Sequence, residues 1–371
     1  MRNRFKTLDP WLYLLPCIMV CIGVAVIYTL TVNAYGNSLF IKQAAAGVIG
    51  IVAMLFATFF DYRGLKGWAP WIYGVGLIGI IVVRVIGQST FGAQRWINIG
   101  PIQYQPGEIE KLVVIIILAA FLGKGAASVS NRRFFGALLL LGIPVLVILI
   151  EPDLGTALVT AAAGLGILFH SKLRRWQRWS LVGGLAVIVL SFALSFHGTK
   201  PFTNLLKSYQ KDRLASFIDH SRDPTGSGYN VLESMIAVGS GGLTGKGLGL
   251  GTQSQLDFLP VAHADFIFAS TAESWGLVGS MAVLLLYGLL LMRMLQAARI
   301  AKDEFGMLLC IGVAVKIAVE MLVNIGMNIG IMPVTGIPLP FLSYGGTTLV
   351  TNFLCIGLIQ SVVIRYKRLT F

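Results

Sequence analysis

Charge is what this sequence has least of. Of its 371 residues only 12% are Asp, Glu, Lys or Arg, while 56% are hydrophobic. Soluble domains carry about 25% charged residues. So few polar side chains cannot enclose so apolar a core in water, which excludes a soluble globular domain and implies an integral membrane protein. Cysteine and histidine are also scarce, four of each. Cys17, Cys21, Cys310 and Cys355 fall inside apolar runs, without disulfide-framework or metal-site spacing. They read as buried small hydrophobes. No repeat or low-complexity segment is present. No small-residue cleavage site follows the basic start and first apolar run, which therefore reads as a retained span rather than a secretory signal.

What the sequence has is long apolar runs. A membrane crossing needs about 20 such residues. The candidates are Trp11–Leu30, Leu39–Phe60, Ala69–Gln88, Glu108–Leu122, Phe134–Ile150, Leu154–His170 and Trp179–Phe196. Phe266–Met292, which is longer and interrupted by Gly276 and Gly279, Met307–Ile329 and Thr347–Ile364 follow. The fold class is therefore all-α and polytopic, with about ten transmembrane helices, broken or re-entrant segments and one large extracytoplasmic loop. Residues 1–371 read as a single transmembrane domain, with that loop at 198–264. Most of the 29 Lys and Arg residues fall at one set of helix ends, among them Arg2, Arg4, Arg132, Arg133, Arg174, Arg175, Arg178 and Arg365. The positive-inside rule makes that side cytoplasmic and puts both termini there. The net charge of +13 then reflects topology and anionic membrane lipid, not nucleic acid.

Within the loop, Leu205–Ile218 mixes Leu and Phe with Lys207, Lys211 and Arg213, as in an interfacial amphipathic helix. The glycine-rich stretch Gly239–Gln255 lacks the Gly-Lys-Ser/Thr ending of a nucleotide loop at Gly245-Lys246-Gly247. The charges that remain near apolar runs cluster toward the outer side. Lys42 and Arg84 fit snorkelling. Glu108 and Lys111, at i and i+3, share a helix face as a structural or a site pair. Pro152 suits a first helical turn, and Asp153 the start of that helix. Lys316 and Glu320, at i and i+4, form a structural ion pair. Asp265 either caps the helix beginning at Phe266 or, with Glu273, faces a cavity open to the outside, because broken backbone at membrane depth survives only beside protein or water. Gly330–Thr347, with three prolines and then Ser343 and Tyr344 before a Gly-Gly pair, is a second such segment.

Four stretches carry a resemblance: GAQRWINIGPIQYQPGEIEKL (Gly92–Leu112), EPDLGTAL (Glu151–Leu158), GTQSQLDFLPVAHADFIFA (Gly251–Ala269) and PVTGIPLPFLSYGG (Pro333–Gly346). In this order they are similar to the SEDS family, the RodA, FtsW and SpoVE enzymes of bacterial wall synthesis. The GTQSQLDFLP wording is nearest the elongation and cell-shape branch. The resemblance implies a peptidoglycan glycosyltransferase of the bacterial cytoplasmic membrane that polymerises lipid II, a disaccharide-peptide on undecaprenyl pyrophosphate, at the outer face. It also implies a class B penicillin-binding transpeptidase as partner. The family's essential carboxylate maps onto Asp265, its Glu-Lys pair onto Glu108 and Lys111, and its Gln-Arg-Trp onto Gln94, Arg95 and Trp96. The chain departs from the family at Val261, Ala264, Ser274 and Gly107, where Glu, Thr, Glu and Ser are usual.

The implied chemistry asks for one base and for cations. Pyrophosphate departs without an acid, unlike the leaving groups that glycosidases protonate, so Asp265 alone serves as general base. Arg95, Lys111, Arg213 and Lys246 are candidate partners of the pyrophosphate, with Glu108 orienting Lys111. His263, Glu273, Asp153 and Ser343 are supporting candidates. The sequence requires no cofactor. A divalent cation (Mg or Mn) would be held by substrate phosphates and carboxylate oxygen. The rival expectations are a lipid II flippase and a non-catalytic scaffold of the wall-synthesis complex.

Overall fold

The computed structural model describes residues 8–90, 93–99, 102–125, 128–196, 217, 223, 226–256 and 258–366. Each expected span is a helix: α1 (Pro10–Tyr35), α2 (Ser38–Phe59), α3 (Leu65–Ile86), α4 (Pro106–Leu122), α5 (Asn131–Ile150), α6 (Leu154–His170) and α7 (Arg175–Phe196). After α8 (Ser227–Ser240) and α9 (Thr252–Gln255) come α10 (Ile267–Ile300), α11 (Glu304–Asn328) and α12 (Gly346–Ile364). Among the described residues 7 helices are long and apolar enough to cross a membrane, and α6 is a shorter apolar one. The interfacial helix expected over Leu205–Ile218 lies outside the described residues.

Helix starts follow local chemistry. Asp9 caps α1 by accepting from the Trp11 N–H at 3.0 Å, and Asp303 caps α11 through the Gly306 N–H at 2.7 Å; each satisfies a donor the first turn leaves open. Asp153 caps α6, so Pro152 precedes the cap instead of occupying the first turn. The start of α1 and the last turns of α12 lie together at one end of the bundle, where Gln360 Nε2 donates to the Asp9 carbonyl at 3.1 Å. The far end holds a small antiparallel sheet that the all-α reading did not contain: β1 (Gln88–Thr90), β2 (Ala93–Ile99) and β3 (Ile102–Tyr104). Trp96 pairs with Gln88, and Ile97 with Tyr104, so the sheet bridges α3 to α4.

α4 is buried along almost its whole length and lies in the middle of the main apolar core. Cys310 and Cys355 are buried as expected, whereas Cys21 lies exposed on the bundle's flank. The most extensive helix pairing is α2 with α12. There a Cβ on Gly357 would come within 2.4 Å of the Met54 carbonyl oxygen, and one on Gly50 within 2.3 Å of the Phe353 ring.

The break expected in the long helix is real. Gly276 adopts φ 65° inside α10. A helix broken there leaves carbonyls above and amides below without partners, and the glycine-rich loop supplies them. Leu277 and Val278 N–H donate to the carbonyls of Gly242 and Leu243 at 2.9 and 3.2 Å, while Lys246 and Gly247 N–H donate to those of Glu273 and Ser274, both at 3.0 Å. Gly245 (φ +82°) must be glycine here, since its Cβ would lie 2.2 Å from the Ser274 carbonyl oxygen.

Gly357→Val is expected to overpack the α2–α12 seam and cost about 1–3 kcal/mol, read as a lower thermal-unfolding midpoint in detergent. Gly184→Ala on α7, where a Cβ meets nothing within 4 Å, is expected not to lower it, because alanine is the better helix former.

Candidate active site

Two irregular segments meet at the far end of the bundle: the turn that leads into α10, residues 259–266, and the proline-rich stretch 333–345. α11 joins them with two amides one turn apart. Asn324 Nδ2 donates to the Asp265 carbonyl at 3.0 Å and to the Ile337 carbonyl at 2.8 Å. Asn328 Nδ2 donates to the Asp265 carbonyl at 3.2 Å, and its Oδ1 accepts from the Ala269 N–H at 3.0 Å. Ser343 Oγ donates to the Ala264 carbonyl at 2.6 Å and accepts from the Leu339 N–H at 2.8 Å. The Tyr344 N–H donates to the His263 carbonyl at 3.0 Å, and the two rings meet edge to face at 5.6 Å. Tyr287 of α10 hydrogen-bonds the Pro340 carbonyl from below. From α2, Gln43 reaches the Ser343 carbonyl at 3.0 Å and the Gly345 N–H at 3.1 Å. Backbone that no helix satisfies is thus satisfied by side chains, the condition for irregular chain at membrane depth.

These segments and the starts of α4, α6 and α12 surround a cavity of about 110 Å³. Asp265, Glu108, Lys111 and Asp153 line it together, with Trp96 of β2 and Tyr344. Asp265 is half-buried and does not cap α10, whose first residue is Ile267 and whose N-cap position is Phe266. A Cβ on Gly336 (φ +70°) would sit 3.6 Å from Asp265 Oδ2, so the carboxylate lies beside bare backbone. Asp153 accepts from the Thr156 N–H and hydroxyl at 3.0 and 2.9 Å.

Beneath the cavity the two expected ion pairs are one network. Lys111 Nζ donates to Glu108 Oε1 at 2.7 Å and to Glu320 Oε1 at 2.6 Å. Lys316 Nζ donates to Glu320 Oε2 at 2.9 Å and to Asn352 Oδ1 at 2.5 Å. All five residues are buried, and they tie α4, α11 and α12 together. Glu108 Oε2 is buried without a hydrogen-bond partner. Glu110, on the other face of α4, has neither oxygen bonded and lies against α3, where a Cβ on Gly76 would come within 2.3 Å of its Oε2.

Lys246 and Glu273 stand apart from the cavity lining. Lys246 Nζ donates to Glu273 Oε1 at 2.9 Å and to Thr252 at 2.8 Å. Glu273 also accepts from the Gln253 and Ser254 N–H groups at 3.0 and 3.1 Å and from the Ser254 hydroxyl at 2.8 Å. Together they clamp the glycine-rich loop to α10. Arg95 belongs to β2, with its side chain outside the described part, and Arg213 lies outside the described residues. No group of three or more His, Cys, Asp or Glu that could hold a metal ion occurs among the described residues. Asn324 and Asn328 were not singled out from sequence, although two amides four residues apart inside an apolar span were a readable signal.

Fold and site together define a polytopic helical membrane protein with an acidic cavity at the end opposite the start of α1 and the end of α12. A family model described as "Cell cycle protein", FTSW_RODA_SPOVE, matches residues 7–368. The chain is similar to the peptidoglycan glycosyltransferase MrdB of Escherichia coli K12, 38% identical over 98% of this chain and 95% of that one. It is also similar to the stage V sporulation protein E of Bacillus subtilis 168, 32% identical over 99% and 100%. Among solved structures it resembles the rod shape determining protein RodA of Thermus thermophilus, with a TM-score of 0.70 and 28% identity over 96% of both chains. A chain from a structure described as "Structural coordination of polymerization and crosslinking by a peptidoglycan synthase complex" matches with a TM-score of 0.78 and 30% identity, over 96% of this chain and 97% of that one. The chain belongs to the FtsW/RodA/SpoVE family.

Burial holds the His263 imidazole below its ordinary value of 6.5. The unfolded chain therefore takes up this proton before the folded one does, and stability present above pH of about 6.5 is lost as pH falls through the folded value. Thermal melts across this range are expected to show that acid sensitivity reduced in His263→Phe.

Proposed function

We propose that this chain is a peptidoglycan glycosyltransferase that polymerises lipid II at the outer face of the cytoplasmic membrane, with Asp265 as general base. The observation that carries the reading is a half-buried carboxylate in a cavity shared with Lys111, in a chain of a family whose members include named peptidoglycan glycosyltransferases. Asp265 accepts the proton of the acceptor sugar's 4-hydroxyl as that oxygen attacks the anomeric carbon of the donor. The anomeric carbon–phosphate oxygen bond breaks, the pyrophosphate leaves with the electron pair, and one displacement inverts the centre. Lys111 opposes the leaving group's charge, and Arg95 and Arg213 remain candidates for the same task. Asp153 holds the start of α6 against the cavity, and Ser343 and His263 fix the Asp265 turn. Lys246 and Glu273 serve the loop clamp.

Both termini face the cytoplasm in this reading, because the basic residues crowd the terminal end and the cavity then opens to the periplasmic side, where lipid II presents its sugars. The undecaprenyl tail lies along the bundle's apolar flank. A class B penicillin-binding transpeptidase crosslinks the strand, in line with the synthase complex found among similar structures. The role is elongation and cell shape, in line with the likeness to a rod shape determining protein.

Purified protein given labelled lipid II is expected to make glycan strands, and Asp265→Asn to lower the rate by about 100- to 10,000-fold, the range of general-base contributions. Gel separation of the products reads the outcome. Strands made at an undiminished rate by Asp265→Asn would remove the base assignment, and no strands from the unsubstituted chain would remove the function.

A further inference from the structure

The cation in the cavity is held by more than its helical neighbour. An ammonium has three N–H donors in tetrahedral array. One of those on Lys111 goes to Glu108, one turn earlier on α4, and a second to Glu320 on α11, at 2.7 and 2.6 Å. A single hydrogen bond would leave the ammonium free to turn about the bond axis. Two bonds to carboxylates on different helices remove that freedom and fix the direction of the third donor, the one left for the cavity. We infer that Glu320 is a positioning residue for Lys111 in the transfer reaction, acting from outside the cavity lining. This inference rests on the function proposed above.

The cost of burial argues the same way. Lys111 and Glu108 already form a neutral buried pair, and adding Glu320 requires Lys316 as well, whose remaining contact is Asn352 at 2.5 Å. Neither Glu320 nor Lys316 has any exposure. Replacing a buried ion pair by apolar groups of similar volume is often neutral or stabilising. Neutralising Lys111 therefore does not require the second pair, and what that pair adds to the cavity is the second tether on Lys111.

The test is a comparison of the full chain with Glu320→Met and with the double variant Lys316→Met/Glu320→Met, each reconstituted with labelled lipid II. The double variant removes one charge of each sign and leaves the Lys111–Glu108 pair neutral, so it is expected to fold, with a melting midpoint within a few degrees of the unsubstituted chain. The expected result is a kcat lowered about 100-fold, the cost of misplacing a reacting group, with KM within about threefold. A double variant with unchanged kcat overturns the inference, because Glu320 then only neutralises Lys316. So does a rise in KM alone, which would mean lost binding without loss of alignment. Should the double variant fail to fold, Glu320→Asp decides. It keeps the charge beside Lys316 but shortens the reach, so kcat falls if Glu320 aligns Lys111 and holds if it does not. A chain that makes no glycan before any substitution overturns the functional reading and this inference with it. An active chain with an equally active double variant overturns the inference alone.

Discussion

The structure depends on satisfying backbone polar groups where no helix does so. An unpaired buried carbonyl costs about 1–3 kcal/mol, and the far end of this bundle contains two stretches of irregular chain. Asn324 and Asn328 meet that cost with amides placed one turn apart on α11, reaching the Asp265 carbonyl, the Ile337 carbonyl and the Ala269 N–H. Because the same amides touch both stretches, the catalytic candidate and the proline-rich wall of its cavity are fixed relative to one another. The position of Asp265 in the cavity lining is set through its own main chain.

The buried charges follow the same economy. Five of them gather in two places, each closed by partners from separate helices or loops, while Glu110 stands outside both with neither oxygen bonded. One is the Glu108–Lys111–Glu320–Lys316 network under the cavity. The other is Glu273, which collects Lys246, two backbone N–H groups and a hydroxyl to hold the glycine-rich loop in the break of α10. That loop resembles a phosphate cradle in composition, yet its amides at Lys246 and Gly247 are spent on the carbonyls that Gly276 sets free.

Apolar periodicity made the spans legible, and the glycines made the break in α10 legible, because both depend on local sequence. The approximate neighbourhood of the site was legible for a related reason: Asp265, Glu108 and Asp153 each stand where an apolar run begins, and helices that begin at one end of a bundle bring such residues together. Contacts between distant segments were not legible. Glu320 pairs with Lys316 at i+4 spacing, which a sequence displays, and with Lys111 across 209 positions, which it does not. The same limit hid Glu110, which lies against the bare backbone of Gly76, and the three short strands, whose pairing arises only when α3 hands over to α4. Lys246 read as an open cation because Glu273 lies 27 residues away.

The seam between α2 and α12 has a consequence for traffic in the bilayer. Gly50 and Gly357 let these helices close until ring and carbonyl atoms occupy the volume a methyl group would need. At these two levels the seam has no room for a polyprenyl chain, so a hydrocarbon tail meets a closed wall there, shut by two glycines remote from the cavity.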